Sequence, residues 1–206
     1  TFLEREKFGP IIEELFLDKN SSLQKHQYIL VDIFLKYVEI LNVSLWSSNL
    51  YKESKEQIIA IIQNHFLTKF DSYKTNQEIY NLIFGRDTRT ITLTKLDGKK
   101  DELVSYKVVD TDYKTDCRNN EITIIKEKVV RVTPYSDDTQ RPDFAVYLNG
   151  LPFIAIEVKN PLANIGLYEA FRDYKVKTTY HKFISCLCTD GLNAALTANP
   201  LGLTID

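Results

Sequence analysis

Methionine is absent from all 206 residues, position 1 included, and cysteine (3), histidine (3), proline (6) and glycine (7) are scarce. A chain with no methionine at its start reads as a piece of a longer one. Cys117, Cys186 and Cys188 are too few and too unevenly spaced for a disulfide framework, and Cys-x-Cys has no second pair with which to hold zinc. They are expected to be buried free thiols. His26, His65 and His181 are scattered, which removes the usual zinc and haem ligand patterns. No window approaches the roughly 18 apolar residues of a membrane span, and no signal peptide opens the chain. A soluble, cytoplasmic protein with no membrane partner is expected. There is no excess of basic charge either: 26 Lys and Arg against 28 Asp and Glu give a net charge of −2, so charge alone names no partner. Nor is there a Gly-x-x-x-x-Gly-Lys-Ser/Thr phosphate loop, so this stretch is not expected to hydrolyse ATP.

What is present is ordinary globular material. Hydrophobic residues make up 44% and charged residues 26%, and the length suits one large domain with a sizeable core. Phe8, Ile11, Ile12, Leu15 and Phe16 form a helical stripe within 2–17. Residues 26–45 read as a second helix, Glu53 to Phe70 as a third, and Asn76 to Phe84 as a fourth stopped by Gly85. The period then changes to two. Strands are expected at 90–94, followed by an Asp97-Gly98 turn, and at 103–109, 121–132, 143–148, 152–159 and 183–189. A helix is expected over 165–180, and Leu192 to Leu196 reads as the start of another. Asp190-Gly191 reads as a turn. The order gives an α/β protein: a helical N-terminal portion over 1–85 and a mixed-sheet core over 86–206, in one unit.

The chemistry concentrates in residues 141–160, which read RPDFAVYLNGLPFIAIEVKN. Asn149-Gly150 between two β-rich runs marks a hairpin. Its strands carry Asp143 at one start and Glu157 and Lys159 at the other end, and a hairpin brings those ends together. Glu157 and Lys159 share a strand face, with Ile154, Ile156 and Val158 on the other. A two-residue turn with regular strands places Asp143 opposite Ile156, on the wrong face. A three-residue loop with a left-handed Gly150 and a G1 bulge pairs Tyr147 with Leu151. Asp143 then faces Ala155, diagonal to Glu157 at about 7–8 Å. A shared metal therefore predicts the bulged turn. Two carboxylates and the Val158 carbonyl form an all-oxygen set suited to Mg²⁺, and Lys159 stands where it can orient an attacking water. The plainer reading is a surface ion pair between Glu157 and Lys159.

Pro142-Asp143 followed by Glu157-Val158-Lys159 is similar to the PD-(D/E)XK motif of restriction-endonuclease-like nucleases. The longer string, with Arg141-Pro142-Asp143, Asn149-Gly150-Leu151-Pro152 and Glu157-Val158-Lys159-Asn160, resembles the N-terminal region of the R subunit of type I restriction–modification enzymes. The resemblance implies a restriction-endonuclease-like fold, a Mg²⁺ cofactor, double-stranded DNA as substrate and Asp143, Glu157 and Lys159 as the catalytic set. It also implies a longer parent chain with an ATP-driven motor, and methylation and specificity subunits as partners. One departure stands out, since residues 168–180 lack the glutamine of the family's Gln-x-x-x-Tyr element. Arg172, Lys175, Lys177 and Lys182, interleaved with Tyr174, Tyr180 and His181, read as a phosphate-gripping surface. The alternative function is a non-catalytic DNA-binding or subunit-docking module on the same fold.

Overall fold

Three of the expected helices and most of the strands form, with boundaries set by contacts that sequence periodicity does not carry. A computed structural model describes residues 26–85, 87–97, 100–111, 119–131, 139–160, 167, 172, 178–191 and 193–197. The stripe at 2–17 and most of the segment expected to be helical at 165–180 lie outside them. The element order is α1 (Val31–Leu41), α2 (Val43–Ser47), α3 (Lys55–Ser72), α4 (Asn76–Phe84), then β1 (Thr90–Thr94), β2 (Asp101–Ser105), β3 (Ile122–Lys126), β4 (Val130–Arg131), β5 (Thr139–Gln140), β6 (Phe144–Leu148), β7 (Leu151–Val158), a 3₁₀ turn (Thr178–Lys182), β8 (Ser185–Thr189) and β9 (Ala194–Thr197).

The helix expected over 26–45 is interrupted twice. Residues ahead of Val31 bend because the His26 ring Nδ1 accepts from Tyr28 N (3.2 Å) and Ile29 N (3.1 Å). Asn42 breaks the run because its side chain engages a distant backbone, with Nδ2 donating to Lys107 O and Oδ1 accepting from Lys107 N. Each of the next two helices opens on a reciprocal capping box, Ser54 with Gln57 and Thr75 with Glu78. α3 buries Ile58, Ile62, Phe66 and Phe70, one residue per turn on a single face. α4 ends at Gly85 as expected, but with φ −74° rather than left-handed. There a glycine is needed for space, since a Cβ would stand 2.5 Å from Asn81 O.

The main sheet has five strands in the order β3-β6-β7-β8-β9. β7 and β8 run parallel and every other neighbouring pair is antiparallel, giving a mixed sheet. Parallel neighbours require a crossover, and the segment between Val158 and Ser185 supplies it. β1 and β2 form a separate hairpin, and β4 with β5 a two-rung ladder. Strand β2 ends at Ser105, short of the expected 109, and the run over 121–132 splits where Glu127 takes φ 53°. The helix expected from Leu192 is a correction: Ala194–Thr197 is a strand on the edge of β8. Alanine and leucine favour helix, but over so few residues pairing overrides that preference, and an Asp190–Asn193 turn (Asp190 N to Asn193 O, 3.2 Å) returns the chain for it. One apolar cluster joins the helices to β1, β7 and the start of β8 through residues such as Phe34, Ile62, Phe66, Leu93, Leu151 and Ile184. A second lies on one face of the sheet. No described helix is long and apolar enough to cross a membrane.

Candidate functional site

The hairpin at Asn149-Gly150 is tighter than the metal reading predicted. Asn149 (φ 52°) and Gly150 (φ 78°) are both left-handed and Leu148 pairs with Leu151, so the loop has two residues and no G1 bulge. This conformation matches the twist of the flanking strands. Asn149 tolerates it and is fully buried, with Oδ1 accepting from Glu121 N (2.7 Å) and Nδ2 donating to Val108 O (3.0 Å) and Asn120 Oδ1 (2.8 Å).

A regular ladder from that turn would strand Asp143 on the wrong face. The extra residue lies instead within β7. Tyr147 pairs with Pro152 but Val146 pairs with Ile154, leaving Phe153 as a bulge. Pro152 supplies the physical reason, because β7 is a central strand and proline has no N–H to give the ladder. One residue of slip exchanges the two faces. The pairs then run Ala145–Ala155 and Phe144–Ile156, and that register, continued one residue past the start of β6, would bring Asp143 across from Glu157, not across from Ala155. Directly opposed residues have Cβ atoms about 4.5–5.5 Å apart, closer than the diagonal arrangement expected from sequence.

Both carboxylates are held. Asp143 Oδ2 accepts from Val158 N (2.6 Å), and its carbonyl accepts from Glu127 N (2.9 Å), so it is pinned from both neighbouring strands. Glu157 is 5% exposed, and its Oε1 accepts from the Tyr180 hydroxyl. Lys159 continues the ladder past β7, its N–H donating to Thr189 O (2.8 Å), so strand alternation keeps it on the Glu157 face. Small residues pave that face: Ala145, Ala155, Cys186 and Cys188 are all buried. Cys186 and Cys188 are free thiols, as expected, while Cys117 lies outside the described residues. Burial and then the Glu157 charge push the Cys186 thiol well above its usual range, which keeps it a thiol. Among the described residues no three His, Cys, Asp or Glu side chains gather as a metal cluster. Asp143 and Glu157 offer carboxylate oxygens, hard donors of the kind that Mg²⁺ takes.

The expected phosphate-gripping residues part company. Arg172 is helical and exposed, and Lys175 and Lys177 lie outside the described residues. Lys182 does something else. Its Nζ donates to Phe70 O (2.6 Å), Asp71 O (3.2 Å) and Tyr73 O (2.6 Å) while lying 5.0 Å from the Phe70 ring centre. All three protons thus face carbonyls at the C-terminal end of α3, where the helix dipole favours a cation. Lys182→Met, which keeps the stem, is expected to cost about 1–2 kcal/mol in urea unfolding and to leave DNA affinity unchanged. Weakened DNA binding at unchanged stability would return Lys182 to the phosphate surface.

Two participants escape sequence reasoning. The bulge at Phe153 had a signal, Pro152 inside a run otherwise fit for a central strand. Tyr180, read from sequence as part of the phosphate-gripping surface, is instead buried at 1% exposure and donates to Glu157, 23 residues away in the chain, a contact with no local signal. A protein-family model described as type I restriction enzyme R protein N terminus matches residues 9–194 of the chain. No curated protein matches it.

Proposed function

The chain belongs to the type I restriction enzyme R protein N-terminal family, and from that membership and the facing carboxylates we propose a Mg²⁺-dependent endonuclease domain with a PD-(D/E)XK fold that hydrolyses double-stranded DNA. The observation that carries the proposal is the β6–β7 register, Ala145–Ala155 and Phe144–Ile156, which continued by one residue brings Asp143 across from Glu157, with Lys159 two residues further along the same strand face. A fold of this class hosts many functions, so the weight rests on the site.

Asp143 and Glu157, with the Val158 carbonyl, would hold the cation. When bound, Mg²⁺ supplies charge that activates water and offsets negative charge building on the phosphate. Lys159 orients the attacking water and stabilises charge developing on the phosphate oxygens. Asp143 cannot swing away, because the Val158 amide holds one of its oxygens. Arg172, with Lys175 and Lys177, would grip the phosphate backbone of the duplex without reading its sequence. In this reading the domain acts in the cytoplasm within a restriction–modification assembly. An ATP-driven motor and the methylation and specificity subunits supply translocation and target choice.

The test is nicking of supercoiled plasmid by the full chain at high protein concentration, with Mg²⁺ or Mn²⁺, beside a chelated control and Lys159→Ala. Metal-dependent nicking is expected, abolished by chelation and lowered about a hundredfold in Lys159→Ala. DNA binding that ignores metal, with no nicking, would identify a non-cutting module on the same fold.

A further inference from the structure

Tyr180 lies in the 3₁₀ turn Thr178–Lys182 and is among the largest fully buried side chains, 1% exposed. It belongs to the cluster of Ala145, Ala155, Phe183, Cys186 and Cys188 on the Glu157 face of the sheet. A tyrosine sunk this deeply needs a partner for its hydroxyl. It has one in Glu157 Oε1.

The turn that presents Tyr180 is itself fixed. Phe183 N donates to Tyr180 O (3.1 Å) and closes it. Asn76, the first residue of α4 and 4% exposed, donates its Nδ2 to the Phe183 carbonyl, and more weakly to Tyr180 O at 3.5 Å. Asn76 in turn follows Thr75, whose capping box anchors the start of α4. A hydrogen-bonded chain therefore runs from the helical portion through the turn to the carboxylate. Its end matters because the last torsion of a glutamate is broad and roughly two-fold, so packing alone sets the plane of the carboxylate poorly. A hydroxyl on one oxygen selects a single rotation.

We infer that Tyr180 is a positioning residue for Glu157, fixing the rotation of its carboxylate so that it meets a divalent cation together with Asp143. The inference rests on the reading of Asp143 and Glu157 as a metal site. It concerns orientation, and outer partners of metal-binding side chains carry affinity in this way, typically 10–100-fold per partner. It also gives the helical portion a purpose at the site, since Asn76 holds the turn from which Tyr180 reaches Glu157.

The experiment is Mn²⁺ titration calorimetry on the full chain, comparing wild type, Tyr180→Phe and Ile125→Ala. Tyr180→Phe removes one oxygen and keeps the ring, and a thermal melt checks that it folds. Ile125→Ala loosens the same apolar cluster from β3, which is not a neighbour of the strand that carries Glu157. Tyr180→Phe is expected to weaken Mn²⁺ binding about tenfold or more. Ile125→Ala is expected to lower the melting temperature while holding Mn²⁺ affinity within about twofold of wild type, a shift below the range that outer partners contribute. Wild-type affinity in Tyr180→Phe overturns the positioning role, as does an equal loss in both variants, which would mean packing alone. If wild type itself binds no Mn²⁺, the metal reading of Asp143 and Glu157 fails, and Tyr180 has nothing to position.

Discussion

Plasmid nicking by Asp143→Asn is expected to fall roughly a thousandfold below wild type, with the fold intact, because the change removes charge from the site and little else. An asparagine oxygen still accepts from the Val158 amide that now binds Asp143 Oδ2. The turn and its ladder therefore stay as they are. Glu157→Gln makes the companion test, since an amide oxygen can still take the Tyr180 hydroxyl. Groups that hold one ion act as a unit, so the double variant is expected to be hardly worse than either single one. Losses that instead multiply would show the two carboxylates working at separate steps. Nicking within about threefold of wild type in Asp143→Asn, far short of the loss expected for a group stabilising transition-state charge, would remove Asp143 from the chemistry. The plain ion-pair reading of Glu157 and Lys159 would then stand.

The largest expected effect on stability comes from Gly150→Ala. Gly150 has φ +78°, and a Cβ there would stand 2.5 Å from Leu30 O, 2.7 Å from Phe34 N and 3.2 Å from Ile33 Cβ. The approach is this close because the start of α1 sits directly on the turn, with Leu30 N donating to Gly150 O at 2.9 Å. Backbone atoms cannot step aside as a flexible side chain would. About 1–2 kcal/mol for the left-handed conformation adds to the cost of displacing α1, for a total of roughly 3 kcal/mol or more. In a chain of this size that lowers the melting temperature by roughly 6–12 °C. Gly191→Ala is the control, since Gly191 has φ +86° with nothing within 4 Å of its Cβ position. It is expected to bear the conformational cost alone. Equal losses in the two variants would show that α1 does not press on the turn.

How legible all this was depends on where the deciding interaction sits. Asn76–Phe84 was readable because local signals agree there, with a threonine cap, a glutamate three residues on and a terminal glycine. Asp143, Glu157 and Lys159 could be singled out because charged residues in apolar strands demand a use. The register joining them was only half readable. Parity showed that one residue of slip was needed, and the turn was the wrong place to put it. Pro152 marks the right place, because its missing N–H is a local property with a long-range effect. Asn42 was not readable, since Lys107 decides it from afar; before Ala194–Thr197 the Asp190-Gly191 turn was readable, but the pairing with β8 that makes the segment a strand was not. Nor was the use of Lys182, whose carbonyl partners at Phe70 and Tyr73 lie more than a hundred residues earlier.

The bulge at Phe153 makes the spacing between Asp143 and Glu157 a heritable quantity in its own right. A substitution along the hairpin changes one side chain, but losing or gaining one residue there exchanges the sheet's inside for its outside. Every side chain would keep its identity while Asp143 and Glu157 came to lie on opposite surfaces of the protein. Descendants of this sequence are therefore freer to vary the letters of the hairpin than to vary their number by one. Changes of length that preserve the site should come in pairs, or with a second bulge to restore the count.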